Sequence, residues 1–242
     1  MADSFRRIDR ATAIDRSLRY PYAVAQDCYH FIRGESRPIK EAQQLIEGRI
    51  PVIGYGSNSA AEALDRKYRD HNDMYTSGIP VMVGQLQDFS IVYAAQFSPY
   101  GALPATIHPV TGAGVRTAIT FLTEEQLQRM HDTEDVDLYY SFEELDGSIA
   151  LNNGLHIERP LAYVALGGSI CTDEGYLALE AIQQQSPKNP KISQRDVQQR
   201  VIDLLGLEHS VEDFISENAL QEDIRNERFL RLSSLVGDVW HR

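Results

Sequence analysis

The stretch IPVIGYGSNS, residues 50–59, decides how the rest of the chain is read. Pro51, Val52 and Ile53 have the composition of a short buried strand. Gly54, Tyr55, Gly56, Ser57 and Asn58 interrupt it, and the following AAEALDRKY has helical composition. The order is strand, tight turn, helix. Gly56 reaches backbone angles closed to other residues, so the turn can curl its N–H groups inward, and Ser57 or Asn58 can cap the next helix. A helix start preceded by free amides attracts a carboxylate or an oxyanion. An ordinary strand-to-helix turn with a good cap has the same pattern, so other features have to decide between the two.

At 242 residues, with 43% hydrophobic and 24% charged residues, the chain is long enough for a full core. The expected organisation is an N-terminal helical extension over 1–49, a core over 50–185 and a C-terminal helical extension over 186–242. Asp and Glu total 35 against 23 Lys and Arg, a net charge of -12. Such a surface repels phosphate backbones and anionic membranes, which argues against nucleic acid as a partner. Cys28 and Cys171 stand far apart without a Cys-x-x-Cys pairing. This points to core-filling thiols in a reducing compartment, with neither a disulfide scaffold nor a structural zinc. MADSFRRIDRATAIDRSLRY carries basic residues but no apolar run behind them, so it lacks the middle of a secretory signal, and the expected location is cytoplasmic. The longest weakly polar stretch, Leu161 to Cys171, is broken by Gly167, Gly168 and Ser169 and falls short of the roughly 20 apolar residues of a membrane span.

Taken in order, residues 1–49 suggest two or three short helices, the last from about Ile39 to Glu47, ending at Gly48. After the helix near Asn58, PVMVGQL and FSIVYAAQF suggest two strands joined at Asp88. Ala105-Thr106-Ile107 fits a short edge strand between prolines, and GVRTAITFL a further strand. In TEEQLQRMHDTED, Thr123 and Gln126 form the pattern of a capping box, with Glu124 and Glu125 at the positive end of the helix dipole. That helix is expected to end near Asp132 or Thr133, with Glu134 just beyond it. LYYSFEEL and HIERPLAYVAL fit strands, followed by a helix from about Thr172 to Gln184, a loop from Ser186 to Pro190, a helix opened by Ser193, and one long helix from Val211 toward Leu235. The fold class is α+β: a mixed, mostly antiparallel sheet of about six strands with flanking helices.

Gly54-Tyr55-Gly56-Ser57-Asn58, then Gly84-Gln85-Leu86-Gln87-Asp88-Phe89, then Ala105-Thr106-Ile107-His108-Pro109, then Met130-His131-Asp132-Thr133-Glu134 occur in an order that resembles the gamma-glutamylcyclotransferase-like family. The resemblance spans about Pro51 to Ile182. It departs from the family pattern at Ser59, where a leucine is usual, and at Asp135, where a glycine is usual. The resemblance implies a small barrel or strongly curved sheet, and an enzyme of the transferase or lyase type. The reaction it implies releases 5-oxoproline and an amine from a small gamma-glutamyl amine or amide.

In that chemistry the free α-amine attacks its own side-chain carbonyl. The amine is an ammonium at neutral pH, so a base must take a proton and an acid must later return one to the leaving amine; one carboxylate can do both. By the resemblance that residue is Glu134, with Tyr55, Gly56, Ser57 and Asn58 holding the substrate and Tyr176 bordering it; Tyr139 or Tyr140, just after Glu134, can line the same pocket. No metal or cofactor is required. His71 with Asp73, and His131 with Asp132 and Glu134, lack the spacing of paired metal ligands on one helical face. The expected partner is a small molecule, not nucleic acid or a membrane, with a homodimer as an assembly the sequence allows. Two alternatives stay open: the same fold with a different small-molecule hydrolase or lyase reaction, and a non-catalytic binding module whose terminal helices dock a partner.

Overall fold

The computed structural model describes residues 8–39, 42–186 and 188–240. Residues 1–7 of the stretch read as lacking a signal, residues 40–41 of the helix expected near Ile39, and Pro187 of the expected loop lie outside them. Helix α1 (Arg10–Leu18) leads to a hairpin of β1 (Tyr29–Ile32) and β2 (Glu35–Pro38), then to helix α2 (Ala42–Ile46) and strand β3 (Ile50–Ile53). A single 3-10 turn, Gly56–Ser59, follows, then α3 (Ala61–Tyr68) and α4 (Asn72–Ser77). Two long strands, β4 (Ile79–Tyr93) and β5 (Ala105–Leu122), precede α5 (Glu124–Glu134). Next come β6 (Tyr140–Glu144), β7 (Ser148–Leu151), β8 (His156–Glu158) and β9 (Leu161–Ala165). The shorter strands β10 (Ser169–Thr172), β11 (Gly175–Tyr176), β12 (Ala178–Leu179), β13 (Gln184–Gln185) and β14 (Lys191–Ile192) lead into α6 (Gln194–Leu204), α7 (Val211–Leu220) and α8 (Glu222–Val236), with β15 (Gly237–Asp238) last.

The backbone of the architecture is the β4–β5 ribbon, antiparallel from Val81↔Thr120 to Tyr93↔Ala105. Its alternating Val, Ile and Phe side chains bury one face after the other. Strand β3 lies beside β5, with Ile53 opposite Ile119, and runs parallel to β9 through Val52↔Leu161. In the strand order β14-β12-β4-β5-β3-β9-β6, β3 with the turn that follows it lies between β5 and β9. Helices α3 and α5 are tied together by Tyr68 Oη donating to the Gln126 carbonyl at 2.8 Å and Arg129 Nε donating to the Lys67 carbonyl at 3.0 Å.

The α+β class holds, but the sheet is larger than about six strands: twelve belong to it, most pairs antiparallel, and the described strands form no closed barrel. The two strands expected on either side of Asp88 are one, because a bulge between Gln87 and Phe89 absorbs Asp88 at φ +60. Its carboxylate accepts the Gly112 N–H at 2.7 Å, so a residue that signals a break here closes a bulge. Ala105-Thr106-Ile107 and GVRTAITFL are likewise parts of one strand, β5.

Between the two N-terminal helices stands a hairpin in place of a third, because Phe31 is buried opposite Ile79 on the edge of β4. The helix expected over Thr172 to Gln184 is absent. Gly175 at φ +109 cannot continue a helix, and the segment pairs instead with the ribbon through Ala178↔Val92 and Gln184↔Val115. The single helix expected from Val211 breaks at Gln221, whose ψ of 95 is extended. Both ends of the chain fold onto the core: Tyr20, Ile53, Val197, Phe214 and Leu232 share one apolar cluster. Cys28 and Cys171 are free thiols and only partly buried, not core fillers.

Candidate functional site

The turn after β3 departs from its expected capping. Ala60 is the N-cap of α3, without a side-chain hydrogen bond, and Ser57 and Asn58 sit inside the 3-10 turn. Gly56 takes φ +59, the left-handed conformation that lets the chain reverse here. Tyr29 Oη donates to the Ser59 carbonyl at 2.7 Å, and the Ala60 N–H donates to the Ser57 carbonyl at 2.9 Å. Asn58 is buried, and its Oδ1 has no hydrogen-bond partner. The Tyr55 hydroxyl donates to the Tyr163 carbonyl of β9.

Glu134 is the last residue of α5, not the first beyond it. The helix opens on the expected capping box, in which the Gln126 N–H donates to Thr123 Oγ1 at 3.2 Å and the Thr123 N–H to Gln126 Oε1 at 3.0 Å. It closes on Asp135 at φ +48, a position glycine suits best and Asp tolerates. The Glu134 side chain is 15% exposed, and its Oε1 pairs with Lys67 Nζ, whose side chain is 13% exposed. The same ammonium donates to Thr133 Oγ1 at 2.8 Å and contacts Met130 Sδ at 3.2 Å. Among the described residues no hydrogen bond reaches Glu134 Oε2.

Five buried tyrosines feel the charge of this carboxylate. Burial pushes the phenols of Tyr20, Tyr55, Tyr68, Tyr140 and Tyr163 up, and the Glu134 charge adds to the effect in each. All five therefore stay protonated donors at neutral pH. Burial also raises the Asp135 carboxyl, the Glu134 charge raises it further and Lys67 opposes both.

Among the described residues no hydrogen bond joins Glu134 to Tyr55 or Tyr140. Tyr140 Oη donates to the Ala105 carbonyl at 3.4 Å. Tyr176 is on strand β11, not at the start of a helix, and belongs to a different group: it donates to Asp238 Oδ2 at 2.5 Å and lies 3.9 Å from the His108 ring. The hollow at the turn is lined by Gly54, Tyr55, Gly56, Ser59 and Arg116 among others, without Glu134, and its volume of about 20 Å³ admits a water molecule. Three members of the site went unread in the sequence. Lys67, Tyr68 and Tyr20 carry no motif signal, and only the packing of α3 and of the segment after α1 brings them here.

The chain is similar in structure to gamma-glutamyl cyclotransferase. The match to that protein has 16% identity and a TM-score of 0.40, over 80% of this chain and 91% of the other. The human protein loc79017 matches at 16% identity and TM-score 0.41, over 81% and 93%. YkqA from Bacillus subtilis matches at 12% identity and TM-score 0.37, over 79% of this chain and 57% of that one. No family model matches, and no curated protein matches. At TM-scores near 0.4 and this identity, neither substrate nor catalytic residue carries across. Among the described residues no group of three or more His, Cys, Asp or Glu side chains is arranged to hold a metal ion, and no helix is long and apolar enough to cross a membrane.

Proposed function

We propose that the chain is an enzyme that cyclises a small gamma-glutamyl amine or amide to 5-oxoproline with release of the amine. Glu134 takes a proton from the substrate ammonium and the freed nitrogen attacks the side-chain carbonyl carbon; as the C–N bond to the leaving amine breaks, Glu134 returns its proton to that amine and the attacking nitrogen gives up a second proton, which the amine also carries off as an ammonium. Protons balance over the cycle, and no water or oxidant enters. Glu134 Oε2 is the proton-carrying oxygen, since Oε1 is held by Lys67. The Tyr55 to Asn58 turn holds the substrate carboxylate or the developing oxyanion, and the orphan Asn58 Oδ1 accepts from a substrate N–H.

The observation that carries this reading is a nearly buried carboxylate whose Oε1 is paired with Lys67 while Oε2 takes no hydrogen bond among the described residues. One nearly buried carboxylate with an open oxygen suits a proton shuttle. Incubating the purified protein with a panel of gamma-glutamyl amides and following 5-oxoproline tests it. Product from wild type and at least a 100-fold loss in Glu134→Gln is expected; no product from any amide, or full activity in the variant, sinks the reading.

The Lys67 pair favours one rival, in which Glu134 is a structural ion-pair partner and the site only binds. That reading expects Glu134→Gln to lower stability and the wild-type protein to turn over none of the amides.

A further inference from the structure

Tyr20 lies outside every motif that the sequence offers, in the segment that precedes the core, yet its side chain reaches the centre of the site. A Cβ built on Gly56 would stand 2.7 Å from Tyr20 Oη and 3.3 Å from Ala105 Cβ, so the phenol sits directly over the glycine of the turn. The segment is anchored behind it. The Tyr20 N–H donates to the Ser17 carbonyl at 3.1 Å, Ser17 Oγ receives Gln198 Nε2 of α6 at 3.3 Å, and Arg10 of α1 bonds Ser216 and Asp213 of α7. Tyr20 is 7% exposed, so the placement belongs to the core and is not a loose surface contact.

The hydrogen bonding of the hydroxyl is asymmetric. Tyr20 Oη accepts the Ala105 N–H at 2.8 Å, which occupies a lone pair and leaves the phenolic proton to be donated elsewhere. Burial and the nearby Glu134 charge keep that proton on the oxygen. The neighbouring turn meanwhile holds a buried acceptor, Asn58 Oδ1, that lacks a donor. A hydroxyl with a spare proton and an amide oxygen with none match the two ends of a zwitterion: an anionic oxygen and an ammonium.

We infer that Tyr20 donates its phenolic proton to an anionic oxygen of a ligand held beside the Gly56 turn, so that the segment before the core completes the binding site. The identity of that ligand as a gamma-glutamyl compound rests on the function proposed above; the donor role does not.

Tyr20→Phe keeps the ring and removes only the donor. Two probes separate the claims: acetate, a minimal anionic oxygen, and 5-oxoproline, with neutral 2-pyrrolidinone as the control lacking a carboxylate. Binding is followed through the amide NMR signals of Gly56 and Ala105. Acetate and 5-oxoproline are expected to shift both signals in wild type and to bind Tyr20→Phe at least tenfold more weakly, with 2-pyrrolidinone unaffected by the substitution. Acetate binding without 5-oxoproline binding would remove the gamma-glutamyl reading and leave the donor standing. Equal affinity of Tyr20→Phe and wild type, or no response of Gly56 to either anion, overturns the inference. In turnover, a raised KM in the variant assigns the oxygen to the substrate carboxylate, and a lowered kcat at unchanged KM assigns it to the developing oxyanion.

Discussion

The Lys67 ammonium pairs with the Glu134 carboxylate across the join between α3 and α5, so the helix that begins at the turn grips the residue that ends the next long helix. Three contacts from one ammonium to Met130, Thr133 and Glu134 fix a whole helical turn. The pair determines both where the carboxylate stands and which oxygen remains open.

Removing one member leaves the other charge nearly buried. Lys67→Met is expected to cost about 2 kcal/mol, below the full cost of breaking a wholly buried pair because both side chains keep some solvent. Urea unfolding of Lys67→Met, Glu134→Gln and the double variant measures the coupling. Strictly additive losses would mean that the pair contributes nothing of its own.

Gly56 and Gly48 offer a matched comparison, since both have positive φ but only Gly56 is overlain by a side chain. Gly48→Ala should cost about 1 kcal/mol, the strain of a left-handed residue alone. Gly56→Ala should cost at least twice that, roughly 2 kcal/mol or more, because its Cβ would meet Tyr20 Oη. Thermal unfolding of the two variants checks the difference, and equal losses would contradict the close approach.

Asp135 sits beside Glu134 with its carboxyl raised, first by burial. A carboxylate raised in the folded state contributes stability below its ordinary value of 3.8 that is lost as pH rises through the folded value. Asp135→Asn removes that loss and also tolerates the left-handed position. The variant is expected to melt higher than wild type at pH 7 and no higher at pH 3; the opposite order would show that the charge is favourable here.

His108 is buried, holds Ser169 Oγ at 2.9 Å through Nδ1, and faces Tyr176 and Asp238. Burial lowers its pKa to about 4 from 6.5, with Asp238 opposing. The unfolded chain therefore binds the proton more readily, and stability present above pH 6.5 is lost as pH falls toward 4. His108→Gln should flatten the stability profile over this window. An unchanged slope would place the acid sensitivity elsewhere.

Local signals carried much of the fold into view. Thr123 and Gln126 announce α5 because a capping box needs only four consecutive residues, and both of its hydrogen bonds are present. Ser193 likewise announces α6, accepting the Asp196 N–H at 3.2 Å. Where the pattern misled, the deciding contact came from far along the chain: Gln184 reads as the end of a helix but bonds Ile91 of β4, and Phe31 reads as part of a helical stretch but pairs with Ile79.

What the sequence by itself determined was a strand, a turn and a helix at residues 50–68, a helix opened by a capping box at Thr123, an α+β class and a net negative charge. The tertiary structure alone decided that Lys67 would hold Glu134 and that Tyr20 would lie over Gly56. Hydrogen bonds within a turn or cap depend on residues three or four apart and leave their mark in local spacing. An ion pair across 67 positions and a phenol resting on a turn 36 positions away depend on the burial of whole helices, which no short run of residues encodes.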